Sequence, residues 1–174
     1  MATTPRLELV RWQYRYMDWA RAGLLAVVAE LDAATLARPG VIAGGNGDGS
    51  VLAALVHLCD GEEVWLAQWT GTPATFAWGA PTSLPALVAR WEGVAERRAD
   101  WLAGLTDADL DATTPLRRGA IGEPVAVPLW QRLLHLADHT ATHRGEVCAA
   151  LTALGAPPPE IDPFLYALSP AGQG

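Results

Sequence analysis

The chain has 174 residues, 51% of them apolar, and this length and composition predict one domain, residues 1–174, with a sizeable core. The formal net charge is -7, and the densest basic clusters are Arg97 with Arg98 and Arg117 with Arg118. Nucleic acid is therefore excluded as an expected partner, because a phosphate backbone needs a longer basic stripe. We expect both arginine pairs to lie on the solvated surface.

The sequence carries no sign of export or of membrane insertion. No N-terminal stretch combines a basic start, an apolar core and a cleavage site, and charges interrupt the apolar segments. We therefore expect a cytoplasmic protein with no membrane partner. The cysteines Cys59 and Cys148 are too few for a disulfide framework and are expected to be free thiols. The eight tryptophans are expected to lie mostly in the core.

Helical periodicity accounts for the first seventy residues. Apolar residues at helical spacing predict a first helix over residues 6–31. Pro39 and the glycine-rich run at 44–49 then predict a flexible connection, because the run lacks the ending of a phosphate-binding loop. Ser50 is the expected N-cap of a second helix that ends near Thr70.

A third helix and a long connection follow. Thr82 or Ser83 is expected to cap the third helix, which should end near Leu105, before a polar turn. Prolines, glycines and a short apolar run over residues 112–128 predict an irregular connection with at most a short hairpin. The connection separates the third helix from the last one.

The fourth helix is expected to begin after Pro128 and to end at Gly155, a typical left-handed stop. Four helices of this length with no convincing sheet predict an all-α fold. The expected architecture is a four-helix bundle with a long connection before the fourth helix.

Three of the four histidines, His135, His139 and His143, lie in one short stretch of the fourth helix. Steps of four residues rotate by about 40° and climb about 6 Å, so any adjacent pair can reach one ion. Glu146 or a backbone carbonyl is available to accept a hydrogen bond from the second ring nitrogen. Hydrogen-bonded structural histidines are the alternative, and the spacing alone leaves both interpretations open.

Other catalytic patterns are missing. Residues 140–142 are Thr-Ala-Thr, so the His-Glu-x-x-His pattern of zinc proteases is absent. No Gly-x-Ser-x-Gly nucleophile turn occurs, which argues against a serine hydrolase. Helical rotation also places Cys148 and Cys59 away from His143 and His57, which argues against thiolate ligands.

Several segments resemble the DinB-like (YfiT-type) family of bacterial metal-binding four-helix bundles. These segments are 16–20 (Tyr-Met-Asp-Trp-Ala), 49–51, 57–58 with Glu62 and Trp65, 69–71, 127–130 and 135–146. The last of them is the most specific, and together they cover nearly the whole chain. The resemblance therefore implies the same bundle fold, and homodimerisation with it.

The resemblance also implies a ligand set. Carried over to matching positions, the ligands of one divalent transition metal are His57, His139 and His143, with His135 as a nearby residue. Imidazole nitrogen suits zinc, nickel, iron and copper, and zinc or nickel is expected. Two acidic residues depart from the family pattern: Asp138 stands where asparagine is frequent, and Glu146 where glutamine is frequent. Each is either a site residue or a surface acid.

Three protein ligands leave a coordination position for water or substrate, which is typical of catalytic metal sites. Relatives resemble S-transferases that use bacillithiol or mycothiol, so the resemblance implies a metal-dependent transfer of a low-molecular-weight thiol, in detoxification. A non-enzymatic metal or small-molecule binding protein and a metal-dependent hydrolase are the alternatives. A pocket lined by Trp19, Trp65 or other aromatic residues would favour an enzyme.

Overall fold

A computed structural model of the chain describes residues 5–74, 77–116 and 125–173. Its elements are α1 (Arg6–Val28), α2 (Ala33–Leu36), α3 (Val51–Thr70), α4 (Leu84–Ala103), β1 (Thr113–Leu116), β2 (Val125–Pro128), α5 (Leu129–Ala153) and α6 (Pro163–Leu168). Within these ranges the two strands form one antiparallel pair, and the four long helices form an all-α bundle. The predicted fold class is confirmed. None of the described helices combines the length and the apolar character that crossing a bilayer requires.

The core lies between the four long helices. α3 packs against both α4 and α5, and α1 packs against α5. Leu24 of α1, Leu55 of α3, Trp91 of α4 and Leu151 of α5 belong to one buried apolar cluster. Burial of such large side chains is the main favourable term in the stability of the bundle.

Local signals set most of the helix ends. The Ser50 hydroxyl accepts a hydrogen bond from the Ala53 amide, and Gly71 ends α3 in the left-handed conformation, so the second predicted helix is confirmed. The first helix ends at Val28, three residues before its predicted end. The reason lies in Asp32, whose carboxylate caps α2 and whose backbone is extended there.

The connection before α5 contains the short hairpin that the sequence allowed. Thr113 pairs with Pro128 and Leu116 with Val125. Arg117 and Arg118, predicted to be surface residues, lie outside the described residues. The C-terminal helix α6 was not predicted, although Asp162 caps it by accepting a hydrogen bond from the Phe164 amide.

The tryptophans are less buried than predicted. Trp91 alone is fully buried, while Trp78 is 68% exposed and Trp130 is 37% exposed. The remaining five lie partly buried at the edges of the apolar clusters: Trp12, Trp19, Trp65, Trp69 and Trp101. An indole ring is large and carries a polar N–H, so it is rarely covered completely.

The prediction of a solvated arginine pair is wrong for Arg98. Arg97 is exposed, but Arg98 is buried and forms ion pairs with Glu62 of α3 and Asp18 of α1. Glu62 also accepts a hydrogen bond from the Trp91 indole at 3.0 Å. Arg98 lies seven residues after Trp91 and therefore shares its inward face, so the pair of adjacent arginines is divided between core and surface.

These two neighbours allow a matched test. Arg98→Met should lower the free energy of unfolding by about 3–5 kcal/mol, because it leaves the Glu62 carboxylate buried without its partner. Arg97→Met should change it by no more than about 0.5 kcal/mol. Urea unfolding of both variants measures the difference, and equal losses would contradict the assignment of Arg98 to the core.

Candidate metal centre

Three of the histidines meet where α3 packs against α5. His57 projects from α3, and His139 and His143 project from α5, one turn apart. One nitrogen of each ring can be chosen so that all three lie within 4.8 Å of one another. The Nε2 atoms of His57 and His139 are 3.2 Å apart, and the ring centroids of His139 and His143 are 4.5 Å apart. This group could hold a metal ion.

A glycine in α3 lets one ring come close to the helix backbone. Gly61 follows His57 by one turn, and a Cβ atom there would lie 3.3 Å from Cε1 of His139. Such a contact is closer than ordinary carbon packing. Gly61 was not predicted to be a site residue, although a glycine inside a predicted helix is a known signal of close backbone approach.

The electrostatics keep two of the rings neutral. Burial, followed by the charge of His143, lowers the pKa of His57. Burial and the charges of the neighbouring histidines lower the pKa of His139 to about 4. Both rings are therefore unprotonated at neutral pH, so their lone pairs are available to a cation.

Glu146 orients the third ring. Nδ1 of His143 lies 2.7 Å from Oε2 of Glu146, so a neutral ring donates its Nδ1 proton to the carboxylate and keeps the Nε2 lone pair free. This contact is the one that the sequence allowed for Glu146, and it is common beside metal-binding histidines. Asp138 is exposed and lies outside the three-histidine group, and Glu62 is engaged by Arg98.

His135 lies next to the group without belonging to it. Its ring centroid is 6.0 Å from that of His139 and 5.0 Å from that of Trp65. The side chain is exposed. The structure thus brings together the three histidines that the resemblance selected and leaves the fourth beside them.

The three residues fit a divalent transition metal. Imidazole nitrogens lie about 2.0–2.1 Å from zinc, so neighbouring ligands of one ion are about 3.3 Å apart. The 3.2 Å separation between His57 and His139 already has this value. Nδ1 of His139 is buried and has no hydrogen-bond partner among the described residues, so a ring that binds through Nε2 lacks the acceptor that Glu146 gives to His143.

A cavity of about 590 Å³ opens beside His57. His57 is part of its wall, as are Trp78 and Asp60. The aromatic residue at this cavity is thus Trp78, which the sequence did not indicate. Trp19, which was considered for such a pocket, packs instead against Tyr166 at a ring distance of 5.5 Å.

Fold and site together define an all-α four-helix bundle with a three-histidine group able to hold a metal ion. The model of the DinB family matches residues 6–171, and the chain belongs to the DinB family. The resemblance found in the sequence is confirmed. A search of curated proteins finds no match.

The close approach at Gly61 yields a prediction. Gly61→Ala should raise the free energy of unfolding without metal, or leave it unchanged, because alanine favours the helix by about 0.5–1 kcal/mol. It should weaken zinc binding about tenfold, because the His139 ring must move away from the new methyl group. Urea unfolding and zinc titration measure the two effects.

Gly93→Ala is the matched control, since the nearest atom to its Cβ position is Nη1 of Arg97, at an ordinary 3.5 Å. This variant should gain stability and keep the zinc affinity of the wild type. If both variants bind zinc as tightly as the wild type, Gly61 does not position His139.

Proposed function

We propose that the chain binds one divalent transition metal through His57, His139 and His143, and that it uses this metal as an enzyme acting on small molecules. One observation carries the proposal: three imidazoles from two helices present nitrogen atoms within 4.8 Å of one another. Neutral imidazole is a common ligand for zinc and nickel, and these two metals are the ones we propose.

The surroundings favour a catalytic over a structural ion. All three rings are half-buried, and His57 forms part of the wall of the 590 Å³ cavity. Three protein nitrogens do not complete the coordination of zinc or nickel, so at least one position would stay open to a small molecule. A purely structural site would be closed by a fourth protein ligand, and within the described residues the group has three.

The reaction that we propose is the transfer of a low-molecular-weight thiol to an electrophile, in detoxification. A bound divalent ion would lower the pKa of a thiol that binds to it and so favour the nucleophilic thiolate at neutral pH. The nucleophile has to be a small molecule, because the chain's own thiols are poor candidates. Burial raises the pKa of Cys59 to about 12 and also raises the pKa of Cys148.

Homodimerisation and a cytoplasmic location stay predictions. The first is implied by the family resemblance, and the second is inferred from the missing export pattern and the charges that interrupt the apolar segments. Neither is needed for the proposed ligand set, which lies within one chain.

The ligand set is tested by metal titration of tag-free protein. We expect one zinc ion per chain and a loss of affinity of at least about a hundredfold in each of His57→Ala, His139→Ala and His143→Ala. His135→Ala is the matched control, because it removes an adjacent imidazole outside the group, and it should bind zinc as the wild type does. Equal affinity in all four variants would contradict the proposal.

The reaction is tested with chlorodinitrobenzene and a small thiol. The thiol sulfur forms a bond to the ring carbon, chloride leaves with its bonding electrons, and the thiol proton goes to solvent. Zinc-loaded or nickel-loaded protein should accelerate the reaction, and His135→Ala should retain most of the rate. A rate no higher than that of His139→Ala would remove thiol transfer and leave a metal-binding protein.

A further inference from the structure

The cavity beside His57 runs along the first half of α3. One wall is the loop at 46–48 that leads into the Ser50 cap, and another is the segment at 78–82. His57 lies seven residues after Ser50, which is about 10 Å along the helix. The volume of about 590 Å³ lies within the range of small-molecule sites. A molecule that fills the cavity can therefore extend from the start of α3 to His57.

The charge on the cavity wall is negative. Among the described lining residues two are acidic, Asp48 and Asp60, and none is lysine or arginine. Asp60 is buried and forms an ion pair with Arg90 at 2.7 Å, so its charge is matched. Asp48 is exposed, and hydrogen bonds from Ser50 lower its pKa. Asp48 is therefore ionised at neutral pH and contributes one unmatched negative charge to the cavity wall.

Two amides at the start of α3 already have partners within the chain. A helix N-terminus attracts anions when its N–H groups are free. Here the Ser50 amide donates to Oδ1 of Asp48 at 3.0 Å, and the Ala53 amide donates to the Ser50 hydroxyl at 3.1 Å. Asp48 and the Ser50 hydroxyl thus take two of the amides that an anionic ligand could otherwise use. The net charge of -7 also repels anions from the surface.

One of the lining residues of the cavity is aromatic. Trp78 is 68% exposed, although it lines the cavity. The backbone next to it is anchored, since the Gly79 amide donates to Asp60 at 3.1 Å and Arg90 donates to the Ala80 carbonyl at 2.6 Å. The Asp60 and Arg90 pair therefore holds the segment that carries the indole. Such a ring provides a flat apolar surface for stacking.

We propose that this cavity is the substrate site and that it takes small molecules with a flat apolar body and either no charge or a positive charge. Trp78 contacts the body of the ligand, and Asp48 excludes anions. That the ligand is a substrate rests on the proposed function, whereas the selectivity of binding rests on the residues that line the cavity. Both residues are specificity determinants, and neither belongs to the metal ligand set.

Three probes of nearly the same shape test the selectivity: benzylamine, benzyl alcohol and benzoate. Binding is followed by NMR shifts of the Gly47 and Ala53 amides, with a chelator present so that no probe binds through a metal. Benzylamine and benzyl alcohol should bind, and benzoate should bind about tenfold more weakly than benzylamine. Benzoate binding as tightly as benzylamine would overturn the proposal.

Matched variants assign the effect to single residues. Asp48→Asn keeps an oxygen for the Ser50 amide and should reduce the preference for benzylamine about fivefold, whereas Asp100→Asn, at an exposed site on α4, should not. Trp78→Ala should weaken benzyl alcohol about fivefold, whereas Trp130→Ala should leave it unchanged. Identical results for a variant and its control would overturn the role of that residue.

The same samples separate this inference from the proposed function. Zinc titration after removal of the chelator reports on the three histidines alone. Normal zinc binding without a preference for benzylamine over benzoate would contradict the cavity proposal and leave the metal site intact. The expected preference for benzylamine without zinc binding would support the cavity proposal and contradict the proposed function.

Discussion

The packing of α3 against α5 is the constraint on which the candidate metal centre depends. The two helices approach closely because Gly61 has no side chain where the His139 ring lies, and this contact puts His57 within 3.2 Å of the ring. Glu62, the next residue of α3, is tied to α4 by its buried ion pair with Arg98. Because packed interiors resist small shifts, these contacts hold the histidines of two separate helices in one place.

Most of the fold could be predicted from local signals. Ser50 caps the start of α3 with its hydroxyl, and Gly155 adopts the left-handed conformation after α5. Both features can be read from the residue type, so α3 and α5 were predicted correctly. The end of α1 was placed three residues late, because the cap at Asp32 competes with helical periodicity. Arg98 was predicted to lie on the surface because its side chain is charged. Its burial is explained only by the ion pairs that it forms with Glu62 and Asp18 in the folded bundle.

The candidate site was predictable in part. The register of His139 and His143 follows from helix geometry, but no spacing rule brings His57 to them, since that contact is between distant parts of the chain. Family resemblance supplied the third histidine. The cavity could not be foreseen, because it arises where two loops meet α3, and the part that we propose for Trp78 follows from that cavity. Burial of a large aromatic residue is a tendency that a binding surface can override.

The most direct test of the three-histidine metal centre is a crystal structure of the zinc-loaded protein with anomalous diffraction measured at the zinc edge. If the three histidines bind one ion, one anomalous peak should lie at about 2.1 Å from a ring nitrogen of each of His57, His139 and His143. A peak bound only to α5, or one placed at the carboxylates of the cavity wall, would contradict this prediction.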